Sequence, residues 1–407
     1  MIASARPRNT AMALWIGIGL RKISMKTLSK RFLTLVVASC TACQAQRPYG
    51  RTAQDCAEGD QKCDLSGSAP DAAAPENNVI LITWDGVRPR EIFEGADPEL
   101  WPEEDRPVAV LNPWRQEPMA FGRFEGEFKA SAPTTLSLPG YQAIMAGKNT
   151  FCFTNSCGAI TEQTLPEHLH MDLAFHQAQV AVFGSWEQIR SAASQKKTAS
   201  FMLNVGFENF RLPYNTEYSK PDMALLTQLA SDAVTDKPLW EHARKDEYTW
   251  NLAIEYLRVA RPRFLWIALN DTDEWGHLNR YHDHVAALQA NQARLEQLLS
   301  DLTEMPDGYG RHTTVILTTD HGRGNTKDDW QDHGMVQAAA EAWMLAWLPA
   351  GLRPVPRGND QPKPSLSHLD LRPLIEGLFG DCVLEARPHD RERLMSRFVS
   401  GFECDSD

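Results

Sequence analysis

Three apolar runs in this chain end in acids, and that shared ending constrains the fold more than any other feature. Residues 79–86 (VILITWDG), 264–277 (FLWIALNDTDEWGH) and 313–324 (TTVILTTDHGRG) begin as apolar segments and pass into Asp, His and Gly. Unbroken apolar runs of this length are the pattern of strands buried on both faces. Residues 179–184 and 341–348 are further strand candidates. Helical spacing fills the intervals over 165–177, 241–259 and 281–302, with a late helix at 371–378. In 281–302 it is carried by Val285, Leu288, Leu295, Leu298 and Leu299. Alternating helices and buried strands predict an α/β fold, a largely parallel central sheet flanked by helices on both faces. Sites in open α/β sheets lie outside the carboxyl ends of the strands, so the acidic endings predict one shared site.

The 407 residues, 43% hydrophobic, are ample for one large core. Residues 1–40 read as an export signal: a basic leader from Met25 to Arg31, a short apolar stretch, then Val37-Ala38-Ser39-Cys40. That tetrapeptide resembles a bacterial lipobox, which implies a lipid anchor on Cys40 and a true start at Met25; an ordinary cleaved signal is the alternative. The apolar run 11–20 is shorter than the roughly 18 residues a membrane span needs. Residues 41–77 are polar and read as a flexible tether, 78–380 as the functional domain, and 381–407 as a C-terminal tail. Residues 185–240, with weak periodicity, are expected to cap the site. Of the eight cysteines, six pair most simply as Cys56 with Cys63, Cys152 with Cys157, and Cys382 with Cys404. Disulfides imply an oxidising compartment, in keeping with export to the periplasm or outer membrane. The first 39 residues hold seven Lys/Arg and no acid, leaving 34 basic against 53 acidic groups, a balance of −19. Such a surface is not built to hold a nucleic-acid polymer, and an anionic substrate needs a local cation.

The candidate site follows from residue types and spacing. Asp273 and His277, four apart on a helical turn, share a face. Asp320 and His321 are adjacent and converge only if the chain bends, which Gly322 and Gly324 permit. Asp85 is a third strand-end acid, and His333 lies twelve residues beyond His321. Carboxylates with imidazoles are the ligand set of zinc first and manganese second. Singly, each residue reads as readily as a cap or a solvated polar group; together and in order they point to metal chemistry. Between the first and second groups, Pro133 and Pro139 bracket a Thr/Ser cluster, and a helix is predicted over 140–147. Ser137 would lie just before its positive end.

This order resembles the alkaline phosphatase superfamily, in particular its nucleotide pyrophosphatase/phosphodiesterase-like branch. The motifs are Asp85-Gly86, Ser137 before Pro139, Asp273-x-x-x-His277, Asp320-His321-Gly322 and His333, spanning about residues 78–350. The resemblance implies an alkaline-phosphatase-like fold with two divalent metals. Asp273, His277 and His333 would hold one, and Asp85, Asp320, His321 and the Ser137 oxygen the other. It implies Ser137 as the nucleophile, a phosphoseryl intermediate, and a small phosphorylated substrate. Thr134 and Thr135 are rivals to Ser137; Asp271 is a rival to Asp273; His282, His284 and His312, read as surface residues, are rivals to His333. Two departures stand out. Gly140 replaces the Asn that many phosphodiesterases use on the phosphoryl oxygens, and Tyr141 replaces a His. A helix-start N–H, Thr135, Arg88 and Arg323 are candidate replacement donors. Sulfatases resemble the same core but carry Cys or Ser before x-P-x-R, and no Arg stands at that place here. Phosphomutases and membrane phosphoethanolamine transferases are further relatives, disfavoured by the export signal and by the absence of a transmembrane bundle. A surface lipoprotein that binds without catalysis is the reading from another class.

Overall fold

The central sheet takes its strands from the runs that the sequence marks. The computed structural model describes residues 77–107, 120–123, 127–131, 134–213, 220–349, 352–354, 365–381 and 399–400. The signal, the lipobox, the tether and the pairs Cys56–Cys63 and Cys382–Cys404 lie outside the described residues. The first strand, β1 (Asn78–Trp84), carries the Asp85-Gly86 ending. Next come β2 (Ala120–Arg123), β3 (Glu127–Lys129), β4 (Val180–Gly184), β5 (Met202–Val205), β6 (Phe264–Leu269) and β7 (Thr313–Thr318). The late strands are β8 (Glu341–Ala342), β9 (Met344–Leu348), β10 (Arg353–Pro354), β11 (Ser365–Ser367) and β12 (Val399–Ser400). Seven of them form the main sheet in the order β2-β9-β7-β1-β6-β4-β5. The run from β7 to β5 is parallel, and β9 is antiparallel both to β7 and to β2. Two small sheets, β11-β3-β8 and β10-β12, stand apart from it.

The helices are α1 (Pro89–Phe93), α2 (Ser137–Ala146), α3 (Leu165–Met171), α4 (Ile189–Ala193) and α5 (Lys220–Thr235). They continue with α6 (Asp246–Ala260), α7 (Asp271–His277), α8 (Tyr281–Glu304) and α9 (Leu371–Leu378). Strand side chains alternate between two cores. Val79, Leu81, Val182, Trp266 and Ile316 pack with α2, α3, α4 and α9 on one face. Ile80, Ile82, Phe183, Ile267 and Leu317 pack with α5, α6 and α8 on the other. The result is a mostly parallel sheet between two helical layers, as expected. Among the described residues no helix is long and apolar enough to cross a membrane.

Four expectations need correction. Residues 185–240 do not form only a cap. β5 within them extends the main sheet beside β4, and Leu226 and Ala230 of α5 join the second core. The strand expected over 341–348 is broken at Trp343, whose indole Nε1 donates to the Val87 carbonyl at 3.0 Å. β8 therefore joins a small sheet and β9 the main one. α6 begins at Asp246, because that buried carboxylate is anchored by Ser185 Oγ at 2.7 Å and the Asn270 amide at 2.7 Å. α2 begins at Ser137 rather than at Gly140. Pro139 falls in its first turn, where no intrahelical amide bond is lost.

Register brings the acidic endings together. Thr83 pairs with Ala268 on one side and Thr318 on the other. Asp85, the start of α7 and Asp320 therefore emerge side by side at the carboxyl edge of the sheet.

Candidate metal centre and nucleophile

Ser137 opens α2 beneath that edge. Its Oγ lies 3.1 Å from His321 Nε2 and 3.4 Å from Asp85 Oδ1. His321 Nε2 is 3.5 Å from Asp85 Oδ1 and 3.4 Å from Asp320 Oδ2. All four residues are buried. His321 Nδ1 donates to the Gly322 carbonyl at 2.8 Å, which fixes the tautomer and turns the Nε2 lone pair inward. The Gly86 amide donates to Asp320 Oδ1 at 3.1 Å. Asp320 Oδ2 makes no hydrogen bond, the only buried carboxylate oxygen so placed among the described residues. Burial first, then the neighbouring acids Asp320 and Asp273, push the Asp85 carboxyl well above its usual range. Burial and Asp273 raise Asp320 to about 8. Burial and the nearby His333 hold His321 well below its usual value, so it stays neutral.

An unbonded carboxylate oxygen, two carboxyls raised by burial and an inward lone pair are what a cation site presents. Ligands about 2.0–2.1 Å from a tetrahedral divalent cation such as zinc stand about 3.3 Å apart. The separations here, 3.1 to 3.5 Å, fit that figure. Asp85, Asp320 and His321 thus form one candidate ligand group.

A second group adjoins it. Asp273 Oδ2 is 3.0 Å from His277 Nε2, which is 3.1 Å from His333 Nε2. His333 Nδ1 donates to the Thr135 carbonyl at 2.6 Å, again leaving Nε2 inward. The rings of His321 and His333 stack at 3.9 Å, so the two groups share a wall; the three residues within mutual ligand reach here are Asp273, His321 and His333, and His277 joins Asp273 and His333 only pairwise. His277 is the open member, with its side chain 47% exposed. Burial opposes charge on Asp273, but Arg323 and His277 prevail and hold its carboxyl well below the usual range. Asp273 in turn raises His277.

The structure thus brings all seven sequence-marked residues together at this edge; of the rivals, Asp271, Thr134, His282 and His284 are engaged elsewhere, while Thr135 is bonded to His333 itself. Asp271 accepts from the Asp246 amide at 3.2 Å. Thr135 donates to the His333 carbonyl and Thr134 to the Phe153 carbonyl. His282 stacks on Trp101, while His284, expected at the surface, is buried and bonds the Thr272 carbonyl at 2.8 Å.

The basic candidates for phosphoryl binding are occupied elsewhere. Arg88 is bonded to Glu91, Asp97 and the Gly324 carbonyl. Arg323 gives Nη2 to the Asp273 carboxylate and carbonyl, Nε to the Gly86 carbonyl and Nη1 to the Gln331 carbonyl. Its slot depends on two glycines: a Cβ on Gly276 would lie 2.3 Å from Arg323 Cζ, and one on Gly86 would lie 2.4 Å from Asp273 Oδ1. Two further polar groups at the site carried no sequence signal for a role there. The Tyr141 hydroxyl donates to Asp85 Oδ2 at 3.0 Å, and Asn155 Oδ1 accepts from the Leu138 amide at 3.0 Å. The Cys152–Cys157 disulfide closes the loop that carries Asn155.

No protein-family model and no curated protein matches the chain. Solved structures similar to it include a 2-O GAG sulfatase, at 13% identity and a TM-score of 0.48, covering 82% of this chain and 76% of that one. The lipoteichoic acid synthase LtaP from Listeria monocytogenes matches at 11% identity and 0.44, over 75% and 72% of the two chains. The lipooligosaccharide phosphoethanolamine transferase EptA from Neisseria meningitidis matches at 10% and 0.46, over 77% and 56%. Likeness this distant transfers neither activity nor substrate.

Proposed function

We propose that this protein is an exported, two-metal hydrolase of phosphate esters that works through a phosphoseryl intermediate on Ser137, with diesters favoured over monoesters. The observation that carries the reading is the placement of Ser137 Oγ, 3.1 Å from His321 Nε2 and 3.4 Å from Asp85 Oδ1, beside the Asp320 oxygen that makes no hydrogen bond. Asp85, Asp320 and His321 would hold one cation against the serine, and Asp273, His277 and His333 a second. Zinc is favoured over manganese, because the 3.1 to 3.5 Å donor separations suit tetrahedral coordination by nitrogen and oxygen. Bound there, the cations would supply Lewis-acid stabilisation of the serine alkoxide and of the departing oxygen.

The chain's own groups account for the rest. Ser137 Oγ bonds to phosphorus as the ester bond breaks, and the leaving alkoxide takes up the proton that the serine loses. Water then bonds to phosphorus, the serine–phosphorus bond breaks, and Ser137 regains a proton. Tyr141 orients Asp85 through its hydroxyl, and Arg323 fixes the outer oxygen of Asp273. The protein is proposed to be a cell-envelope lipoprotein anchored at Cys40, with a small phosphorylated substrate.

The sulfatase-like reading finds no arginine after the x-Pro pair; Tyr141 stands there, bonded to Asp85. One experiment separates the readings. Residues 44–407 and the Ser137→Ala variant are assayed with zinc on bis-p-nitrophenyl phosphate, p-nitrophenyl phosphate and p-nitrophenyl sulfate. The expected result is phosphate ester cleavage that falls at least about 10³-fold in the variant while bound metal is retained. Equal activity in both proteins would remove Ser137 from the mechanism, and preferential sulfate cleavage would favour the sulfatase reading.

A further inference from the structure

Resting on the reading of Ser137 as a phosphoryl acceptor, we infer that Asn155 is the side chain that binds the phosphoryl oxygens. When Ser137 Oγ bonds to phosphorus, negative charge gathers on the non-bridging oxygens, and a fixed donor beside them is needed. The position after Pro139 cannot supply one. Gly140 lies so close to the β7 loop that a Cβ there would stand 3.0 Å from the Asp320 carbonyl oxygen. Arg88 and Arg323 are bonded to acids and carbonyls, and Thr135 to the His333 carbonyl. The Leu138 amide, next to the nucleophile, is already taken by Asn155 Oδ1.

That last bond defines Asn155. An amide N–H must meet the oxygen of the side-chain amide, so the O and N ends are assigned without ambiguity. The Nδ2 end shares its carbon with that oxygen and so also lies near the start of α2. It has no acceptor among the described residues, and the residue is half-buried. The loop around it is tied down. Cys152 and Cys157 are bridged, Thr150 Oγ1 donates to Gln142 Oε1 at 3.1 Å, and Gln142 Nε2 donates to the Gly158 carbonyl at 3.0 Å. Gln142 belongs to α2, so the loop is fastened to the helix that carries Ser137. A donor held in this way needs little reorganisation when charge develops.

A purely structural Asn155 would only cap α2, whose own N-cap, Leu136, offers no side-chain acceptor. Asn155→Asp and Asn155→Ala together separate the two roles: both delete the donor, Asp keeps an oxygen for the Leu138 amide but adds a charge, and Ala adds none. The expected result for Asn155→Asp is a fall of about 10²- to 10³-fold in kcat/KM on bis-p-nitrophenyl phosphate, with a parallel loss of vanadate affinity. Metal content and melting temperature should stay at the wild-type level. Asn155→Ala should show the same kinetic loss together with a lower melting temperature. Wild-type kcat/KM and vanadate affinity in Asn155→Asp would overturn the assignment, as would loss of fold or metal in both variants. A wild-type protein that neither cleaves the ester nor binds vanadate would bring down the Ser137 reading, and this assignment with it.

Discussion

The two carboxylate–imidazole clusters share a wall of stacked histidines yet solve the problem of buried charge in opposite ways. Around Ser137, Asp85 and Asp320 lie side by side with a neutral His321, and Asp320 keeps an oxygen without a hydrogen bond. Around His277, Asp273 is already neutralised by Arg323 and leans on a histidine that it makes more basic. The first group faces its two acids with a neutral histidine, while the second carries its own cation in Arg323. Unpaired burial is costly and pairing offsets much of that cost, so the clusters should respond differently to metal, mutation and pH.

Asp320→Asn gives the largest contrast. Removing one of two facing acids should abolish binding at the Ser137 cluster, lower hydrolysis at least about 10³-fold, and raise the melting temperature of the metal-free protein. Elemental analysis with thermal unfolding reads all three, and a variant that keeps its full metal content would erase the distinction. Arg323→Ala comes next. It strands Asp273 and should cost about 3–5 kcal/mol in the metal-free protein, with zinc restoring much of the loss. An equal cost with and without zinc would mean that Arg323 supports the fold and not the charge of Asp273.

The pH response is the smallest effect and has a definite sign. Asp320 titrates at about 8 against 3.8 for an ordinary aspartate. Between these values the folded metal-free chain binds more protons than the unfolded chain, so its stability falls as pH rises from about 4 to about 8. With zinc bound the trend should flatten or reverse, because metal and protons compete for the same oxygens. Melting temperatures at pH 5 and pH 8, in chelator and in zinc, check this. A metal-free protein that is more stable at pH 8 would contradict the buried-acid picture.

Much of this was legible in the sequence, because the relevant information is local. The runs that became β1, β6 and β7 are buried on both faces and therefore unbroken in hydrophobicity, and their acidic ends follow directly. Asp273 and His277 lie one helical turn apart. What escaped was decided at a distance. β5 is four residues long, includes Asn204, and becomes sheet only by pairing with β4. Trp343 interrupts a plausible strand because Val87, remote in sequence, accepts its indole. Arg88 and Arg323 read as available cations in the sequence, yet Arg88 is held by the Gly324 carbonyl and Arg323 by Asp273, each remote along the chain. Asn155 lies in an unpatterned loop, and only its contact with Leu138 marks it.

The reciprocal bonds between Thr135 and His333 have a mechanical consequence. Each residue accepts from the other through its backbone carbonyl, one donating a hydroxyl and the other a ring nitrogen. The turn that presents His333 is thus latched to the segment that leads into the nucleophile. Neither can drift without dragging the other, so the line of attack and the far histidine behave as two teeth cut on one gear.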